Sequence, residues 1–274
     1  MVVNDVYGSF HAFVQGDIQV PAYGSIGRGR SKLKWVERCS FLSRFRPKKS
    51  ALRAWPRVSM SGMYIDLQRT EYDTGKLDRA DLKESPFEQF AAWFQQACQS
   101  KVIEPNAMSL ATAGKDGCPL VRTVLLKSYD ARGFVFFTNL ESRKARQIKE
   151  NPHASLLFPW LALQRQVIIS GRVEKVTTAE SLAYFVTRPR GSQIGAWISQ
   201  QSSIVTSRKL LEMKWAEMQR KFSEGAIPLP DWWGGFRVVP REIEFWQGRV
   251  NRLHDRFLYS AQEGGKWAIE RLAP

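Results

Sequence analysis

In the stretch RLHDR, residues 252 to 256, two arginines and a histidine recur at every second position, with a leucine and an aspartate between them. If the segment is extended, Arg252, His254 and Arg256 line one face and Leu253 and Asp255 the other, because successive strand side chains point to opposite sides. Such a face suits an oxyanion or a flat anionic ring, since the guanidinium fork binds oxyanions bidentately and lies over rings. Comparable groups occur elsewhere. Arg122 and Lys127 bracket the run RTVLLK, and their odd separation puts them on opposite faces of a strand unless a bulge intervenes. Arg143 and Lys144 fall in the first turn of an expected helix, where free backbone N–H groups and the helix dipole favour an anion. Tyr184 and Arg188, four apart on a helix, share a face. Each pair alone reads most simply as solvated charge; together they point to phosphate chemistry. Gln166, Gln201, Ser202 and Trp246 add the neutral hydrogen-bonding and stacking groups that a planar heterocycle needs.

Other chemistries find no support. There is no Walker loop and no GxSxG, and the GSIGRG at 24 to 29 lacks a flanking strand and helix, so it reads as linker. Three histidines, His11, His153 and His254, are too few for a His-rich metal site, and Cys39, Cys98 and Cys118 lack metal-ligand spacing, so no metal is expected. His153, after Asn151-Pro152, reads as a solvated turn residue. Scattered, odd-numbered thiols suit a reducing compartment, and a cytoplasmic protein is expected. No apolar run is long enough to span a membrane, and the N-terminus does not read as a secretory signal.

The 274 residues carry a net charge of +15, which draws anionic partners. Residues 1 to 62 hold 11 Lys+Arg against 3 Asp+Glu, leaving +7 for residues 63 to 274. The basic excess is thus concentrated in an aperiodic Gly-, Ser- and Arg-rich stretch, and nucleic acid is not an expected partner of the remainder. Residues 1 to 62 are expected to form a flexible extension, with two alternatives: an upstream reading frame preceding a start at Met60 or Met63, or a weakly basic presequence.

Residues 63 to 274 must build the frame. SPFEQFAAWFQQACQ reads as a helix, with Ser85 as N-cap, Pro86 at the first position and Glu88 completing a capping box. Strand patterns follow in AMSLATAG, PLVRTVLLK and FVFFTN, separated by the turns GKDG and YDARG. ESRKARQIKE is a short helix ended by Asn151-Pro152, and ASLLFPW and RQVIISGRVEKV resume the strands. Thr177 and Glu180 make a second capping box for AESLAYFVTR, and SRKLLEMKWAEMQRKF is a helix closed by Gly225. FRVVPREIEFWQG, RLHDRFLYS and KWAIERLAP finish the chain. Hairpins dominate without βαβ regularity, so the expected class is α+β with an antiparallel sheet or barrel.

From about Tyr64 to Pro274 the chain resembles the pyridoxine/pyridoxamine 5′-phosphate oxidase family. RTVLLK, FFTNLESRKA, RQV, YFVTRPRGSQIGAW, QQSS, WGGFRV, EFWQG, NRLHDR and ERLAP follow that family in order and spacing. The resemblance implies an antiparallel split β-barrel with surrounding helices, a homodimer that binds flavin mononucleotide (FMN) in clefts between subunits. It implies an FMN site made by Arg122, Thr123, Val124, Leu125, Leu126 and Lys127, by Phe137 and Thr138, and by Arg143, Lys144 and Gln166. Gln201, Ser202, Trp246 and Arg256 complete it, several from the other subunit. The substrate phosphate would meet Lys127, Tyr184, Arg188 and Ser192. Arg252, Leu253 and His254 belong to the pyridine side, with Arg252 and His254 as the catalytic pair, while Arg69 and Tyr72 in RTEY match a segment that closes over the substrate. The implied reaction oxidises pyridoxamine or pyridoxine 5′-phosphate to pyridoxal 5′-phosphate, with O₂ reduced to hydrogen peroxide. A split-barrel flavin reductase or other flavoprotein should lose the Tyr184, Arg188, Ser192, Arg252 and His254 set. A basic nucleic-acid-binding protein should instead interleave aromatics with its charges.

Overall fold

The computed structural model describes residues 71–73 and 75–274; the expected extension, the GSIGRG stretch and Arg69 lie outside the described residues. The first long element is α1, Pro86–Gln99. Pro86 suits its first position, where an N–H would have no partner within the helix. The expected capping box at this end does not form: Ser85 makes no side-chain cap. Glu88 is exposed, and it is the buried Gln89 whose Oε1 reaches back, accepting from the Lys83 N–H at 3.1 Å. Pro86, Gln89, Phe90, Trp93 and Ala97 form the buried stripe at helical spacing.

That stripe covers an antiparallel sheet. Its strands are β1 Ala107–Ala113, β2 Pro119–Leu125, β3 Ser128–Asp130, β4 Gly133–Asn139 and β5 His153–Trp160, followed by β6 Arg165–Lys175, β7 Trp233–Gln247, β8 Asp255–Ala261 and β9 Trp267–Leu272. The order is β2-β1-β5-β6-β7-β4-β3, with β8 on β7 and β9 on β8. The first half of β7 pairs with β4 and its second half with β8, while β6 runs beside both. The two halves diverge at a bulge, where the register shifts between Ser170 and Gly171. Gly171 is required there, because a Cβ would lie 2.0 Å from the Val239 carbonyl oxygen. The same irregularity accommodates Pro240 inside a long strand. The sheet therefore curls, and its concave side holds Leu110, Leu156, Phe158, Val167, Ile169, Ile243, Phe245 and Tyr259, all fully buried. Phe90 of α1 sits at their centre, edge-on to Tyr129 and Phe134 at 4.9 Å and to Phe158 at 5.1 Å.

A second apolar cluster organises α3 Thr178–Thr187, α4 Arg190–Ile198 and α5 Arg208–Lys221 around Phe185, Ile194, Phe222, Ile227 and Trp233. The Thr177–Glu180 capping box forms as expected. Helix α4 has no counterpart in the sequence reading, since Gly191 and Gly195 dilute its period. Helix α5 ends at Lys221 with Phe222 as its cap, and Gly225 turns three residues later with φ +74°, so it does not itself close the helix. Between the sheet and the helical lobe lies α2, Arg143–Glu150, whose N-cap Ser142 accepts from the Ala145 N–H.

Candidate functional site

Strand β2 brings Arg122, Thr123, Val124 and Leu125 to the edge of a cavity of about 780 Å³. The strand ends at Leu125, and Lys127 already belongs to the next connection, its N–H donating to the Val135 carbonyl at 2.9 Å. The parity that set Arg122 and Lys127 on opposite faces therefore stops short of Lys127, and both line the cavity. Leu126 does not: its side chain is buried in the sheet core. The far wall comes from the end of β4 (Phe137, Thr138, Asn139) and the first turn of α2 (Arg143, Lys144), and it is closed by α4 and the loop after it through Ser192, Ser199, Gln201 and Ser202. That loop is tied to α2. Ser202 Oγ accepts from the Arg143 N–H at 3.2 Å, and the Asn139 side chain donates to the Ser199 carbonyl at 2.8 Å.

Charge is the cavity's main feature. Arg122, Lys127, Arg143, Lys144 and Arg188 line it, and among the described residues no carboxylate does. Burial, aided by the charge of Arg122, pushes the Lys144 ammonium down to about 8. Its Nζ is held by Gln201 Oε1 at 2.8 Å and Thr138 Oγ1 at 3.1 Å, both neutral acceptors. Arg122 is likewise lowered by burial and by Arg143, and it bonds only neutral groups: the Leu110 carbonyl, Thr112 Oγ1 at 2.6 Å and Gln147 Oε1. Arg188 is lowered by burial, and its Nη1 is buried without a hydrogen-bond partner. Cations held among neutral acceptors, with one donor left over, form a receptor for an anion.

Aromatic rings floor this receptor. Phe137 stacks on Tyr184 at 4.3 Å and on Trp233 at 5.2 Å, and the Arg188 guanidinium lies 4.7 Å from the Trp233 ring centre. A smaller recess of about 360 Å³, lined by Lys127, Tyr184, Arg188, Ser192 and Trp233, opens from the same floor. Trp233 and Gln147 were missed in the sequence reading. The WGG run was the available signal for the first, whereas Gln147 becomes recognisable only once α2 turns it towards Arg122 and Thr112.

The remaining expected residues lie elsewhere. Gln166, Trp246 and Arg256 are register neighbours across β6, β7 and β8, and none lines the cavity. Arg256 forms a bidentate pair with Glu244 at 2.8 and 3.1 Å. RLHDR is not extended throughout, which corrects the expected three-residue face. Asn251 and Arg252 have φ of +55° and +60° in a tight turn, and β8 begins only at Asp255. Arg252 is exposed, and Leu253 is 68% exposed. His254 sits half-buried 4.7 Å from the Trp246 ring and 5.7 Å from the Tyr72 ring. Its Nδ1 accepts from the Arg249 N–H at 3.1 Å, so in the neutral imidazole the proton resides on Nε2. His153 is exposed, as expected.

The curled antiparallel sheet with an anion receptor beneath a helical lobe is a split-barrel architecture. The chain superposes on PhzG from Burkholderia lata, crystallised with tetrahydrophenazine-1-carboxylic acid, with a TM-score of 0.68 and 31% identity over 73% of this chain and 98% of that one. It also matches a pyridoxamine 5′-phosphate oxidase-related, FMN binding protein from Nostoc punctiforme, with a TM-score of 0.57 and 16% identity over 70% of this chain and 100% of that one, a likeness of fold. Residues 94–222 match the family model "Pyridoxamine 5′-phosphate oxidase", and residues 233–274 match "Pyridoxine 5′-phosphate oxidase C-terminal dimerisation region". A pyridoxine/pyridoxamine 5′-phosphate oxidase of Rippkaea orientalis is 61% identical over 77% of this chain and all of its own length. The enzyme of the same name from Aliarcobacter butzleri is 58% identical over 75% of this chain and 97% of its own. The chain belongs to the pyridoxine/pyridoxamine 5′-phosphate oxidase family.

Proposed function

We propose that this protein is an FMN-dependent oxidase that converts pyridoxamine and pyridoxine 5′-phosphates to pyridoxal 5′-phosphate, reducing O₂ to hydrogen peroxide. Family membership supplies the class of reaction. The observation that carries the ligand chemistry is the cavity: five cations without a carboxylate, over an aromatic floor, with a buried donor of Arg188 left unpaired. Two phosphorylated, planar molecules suit that combination of charge and rings.

In this reading Arg143, Lys144 and Arg122 hold the FMN phosphate, with Gln201 and Ser202 beside them, while Thr123 to Leu125, Phe137 and Thr138 flank the rest. Lys127, Tyr184, Arg188 and Ser192 take the substrate phosphate in the adjoining recess. Bound there, the flavin supplies a two-electron oxidant that returns its electrons to O₂. The protein's part is to place the C4′ carbon against the ring and to exclude water. His254, whose Nδ1 already accepts the Arg249 amide, presents Nε2–H as a donor and is not a general base in this state. Arg252 adds a guanidinium that can lie over the pyridine.

Gln166, Trp246 and Arg256 serve the cavity of a second copy, which makes the active form a homodimer. The outer sheet face that carries them also exposes part of Leu157, Ile168 and Leu258. No helix among the described residues is long and apolar enough to cross a membrane, and Cys98 and Cys118 are unpaired and exposed, which suits a reducing cytoplasm. The test is the absorption spectrum of the purified protein together with an assay for pyridoxal 5′-phosphate. Flavin bands and peroxide-coupled product are expected. A flavin-free protein, or a flavoprotein that leaves both substrates untouched, overturns the proposal.

A further inference from the structure

Tyr72 reaches Trp246 and His254 from a segment distant in sequence, and the structure shows what secures it. Its ring stands edge-on to Trp246 at 5.9 Å and beside His254 at 5.7 Å. It packs on Gly248, where a Cβ would lie 2.9 Å from Tyr72 Cγ. The chain then runs past Gln247 at Gly75 and arrives beside Asp255, the first residue of β8. The Asp255 side chain is 16% exposed, and its two oxygens are divided between different elements. Oδ2 accepts the Leu77 N–H at 3.1 Å and lies 3.5 Å from Arg249 Nε. Oδ1 accepts from Arg271 Nη1 at 2.9 Å, and the other arm of Arg271 reaches Asp78 at 2.6 Å. Arg249 in turn donates Nη1 to the Gly75 carbonyl at 3.1 Å and its N–H to His254 Nδ1.

One carboxylate thus holds the Tyr72 segment directly at Leu77 and indirectly through Arg249 at Gly75, and it holds the turn that orients His254 through the same Arg249. We propose that Asp255 is a positioning residue that couples the Tyr72 segment to the His254 turn and thereby sets affinity for the phosphorylated pyridine. The inference rests on the oxidase reading for its substrate, but the coupling itself is independent of it. Asp255 touches neither cavity lining nor the aromatic floor, so loss of its charge leaves the anion receptor intact.

The test is Asp255→Asn in the full-length holoenzyme, with hydrogen exchange and steady-state kinetics measured in parallel. Exchange at Leu77 should quicken about tenfold, the size expected for one charge-assisted hydrogen bond, while β6 amides keep their protection. KM for pyridoxine 5′-phosphate should rise by about the same factor, with kcat and FMN content within about twofold. Gly248→Ala, which displaces Tyr72 without touching Asp255, should raise KM similarly while Leu77 stays protected. Unchanged Leu77 exchange in Asp255→Asn overturns the coupling, as does an increase shared equally by β6, which marks a general structural loss. A released Leu77 with unchanged KM overturns the link to substrate. If the wild type oxidises neither substrate, the functional reading fails, and the exchange at Leu77 alone decides the coupling.

Discussion

Arg143 and Lys144 stand side by side at the start of α2, yet they are held differently. Lys144 is buried between two neutral oxygens, whereas Arg143 contributes its backbone to Ser202 and keeps its guanidinium at the cavity wall. Replacing Arg143 by Ala should weaken FMN binding by roughly 10- to 150-fold, the worth of one charge-assisted phosphate contact, with turnover at saturating FMN little changed. Fluorescence titration of the apoprotein measures it; an unaltered FMN affinity with a raised substrate KM would reverse the assigned roles. Arg252 invites the complementary experiment. Exposed and in a positive-φ turn, it supports no packing, so Arg252→Ala should fold normally and retain FMN. Its kcat/KM should nevertheless drop by about 10²-fold, with a smaller cost for His254→Asn. A near-normal kcat/KM for Arg252→Ala would assign this turn to another purpose.

At the scale of elements, the recess depends on how α3 is anchored, because Tyr184 lies on that helix and Arg188 caps it. Glu180 does this twice over. It closes the capping box with Thr177, and its Oε1 accepts from Arg237 Nη2 at 2.8 Å, an arginine whose side chain is only 7% exposed. The Thr177 backbone bond, then Arg237, holds the Glu180 carboxyl down to about 2. A depressed carboxylate stabilises the fold fully above its unfolded value of 4.5, and this contribution is lost as pH falls towards 2. Glu180→Gln should therefore cost about 1–2 kcal/mol at neutral pH and flatten the acid limb of the stability curve. Denaturant unfolding between neutral and acid pH shows it; a variant with the wild-type acid limb would place that titration elsewhere.

At the scale of the whole molecule, the residues assigned above to one FMN site fall into two groups that do not meet within one chain. The cavity lies beside α2, while Gln166, Trp246 and Arg256 sit on the sheet's outer face. Light scattering of the holoprotein should give the mass of two chains, and a monomer with stoichiometric FMN and full activity would contradict the shared site. Relatives are matched over their whole length by about three-quarters of this chain: the Rippkaea enzyme covers 77% of it. We further propose that residues 63–274 are the complete catalytic unit. Deleting residues 1–59 should leave FMN content unchanged and turnover within about twofold, since the sequence of that stretch shows no helical or strand period. Failure of the truncated chain to fold or to bind FMN would show otherwise.

Local rules sufficed for much of this. The apolar stripe of α1, the Thr177–Glu180 box and the alternating strands were readable because each depends on neighbours a few residues away, and the order of the motifs was enough to place the family. The α1 capping box does not form: Ser85 makes no side-chain cap, and the side chain that reaches back is the buried Gln89, to the Lys83 N–H outside the helix. Alternation misled at RLHDR, since it holds only while the chain stays extended and Asn251 and Arg252 turn first. It misled again at Arg122 and Lys127, where the strand stops at Leu125. Where a strand stops is decided by its partners: β1 pairs with β2 as far as Leu125, after which Lys127 takes the carbonyl of Val135 on β4. Tertiary structure alone gathers five cations from β2, the connection after it, α2 and the helical lobe around one cavity and leaves Gln166, Trp246 and Arg256 on another face. Long-range pairing sets those distances, and spacing along the chain carries no record of it.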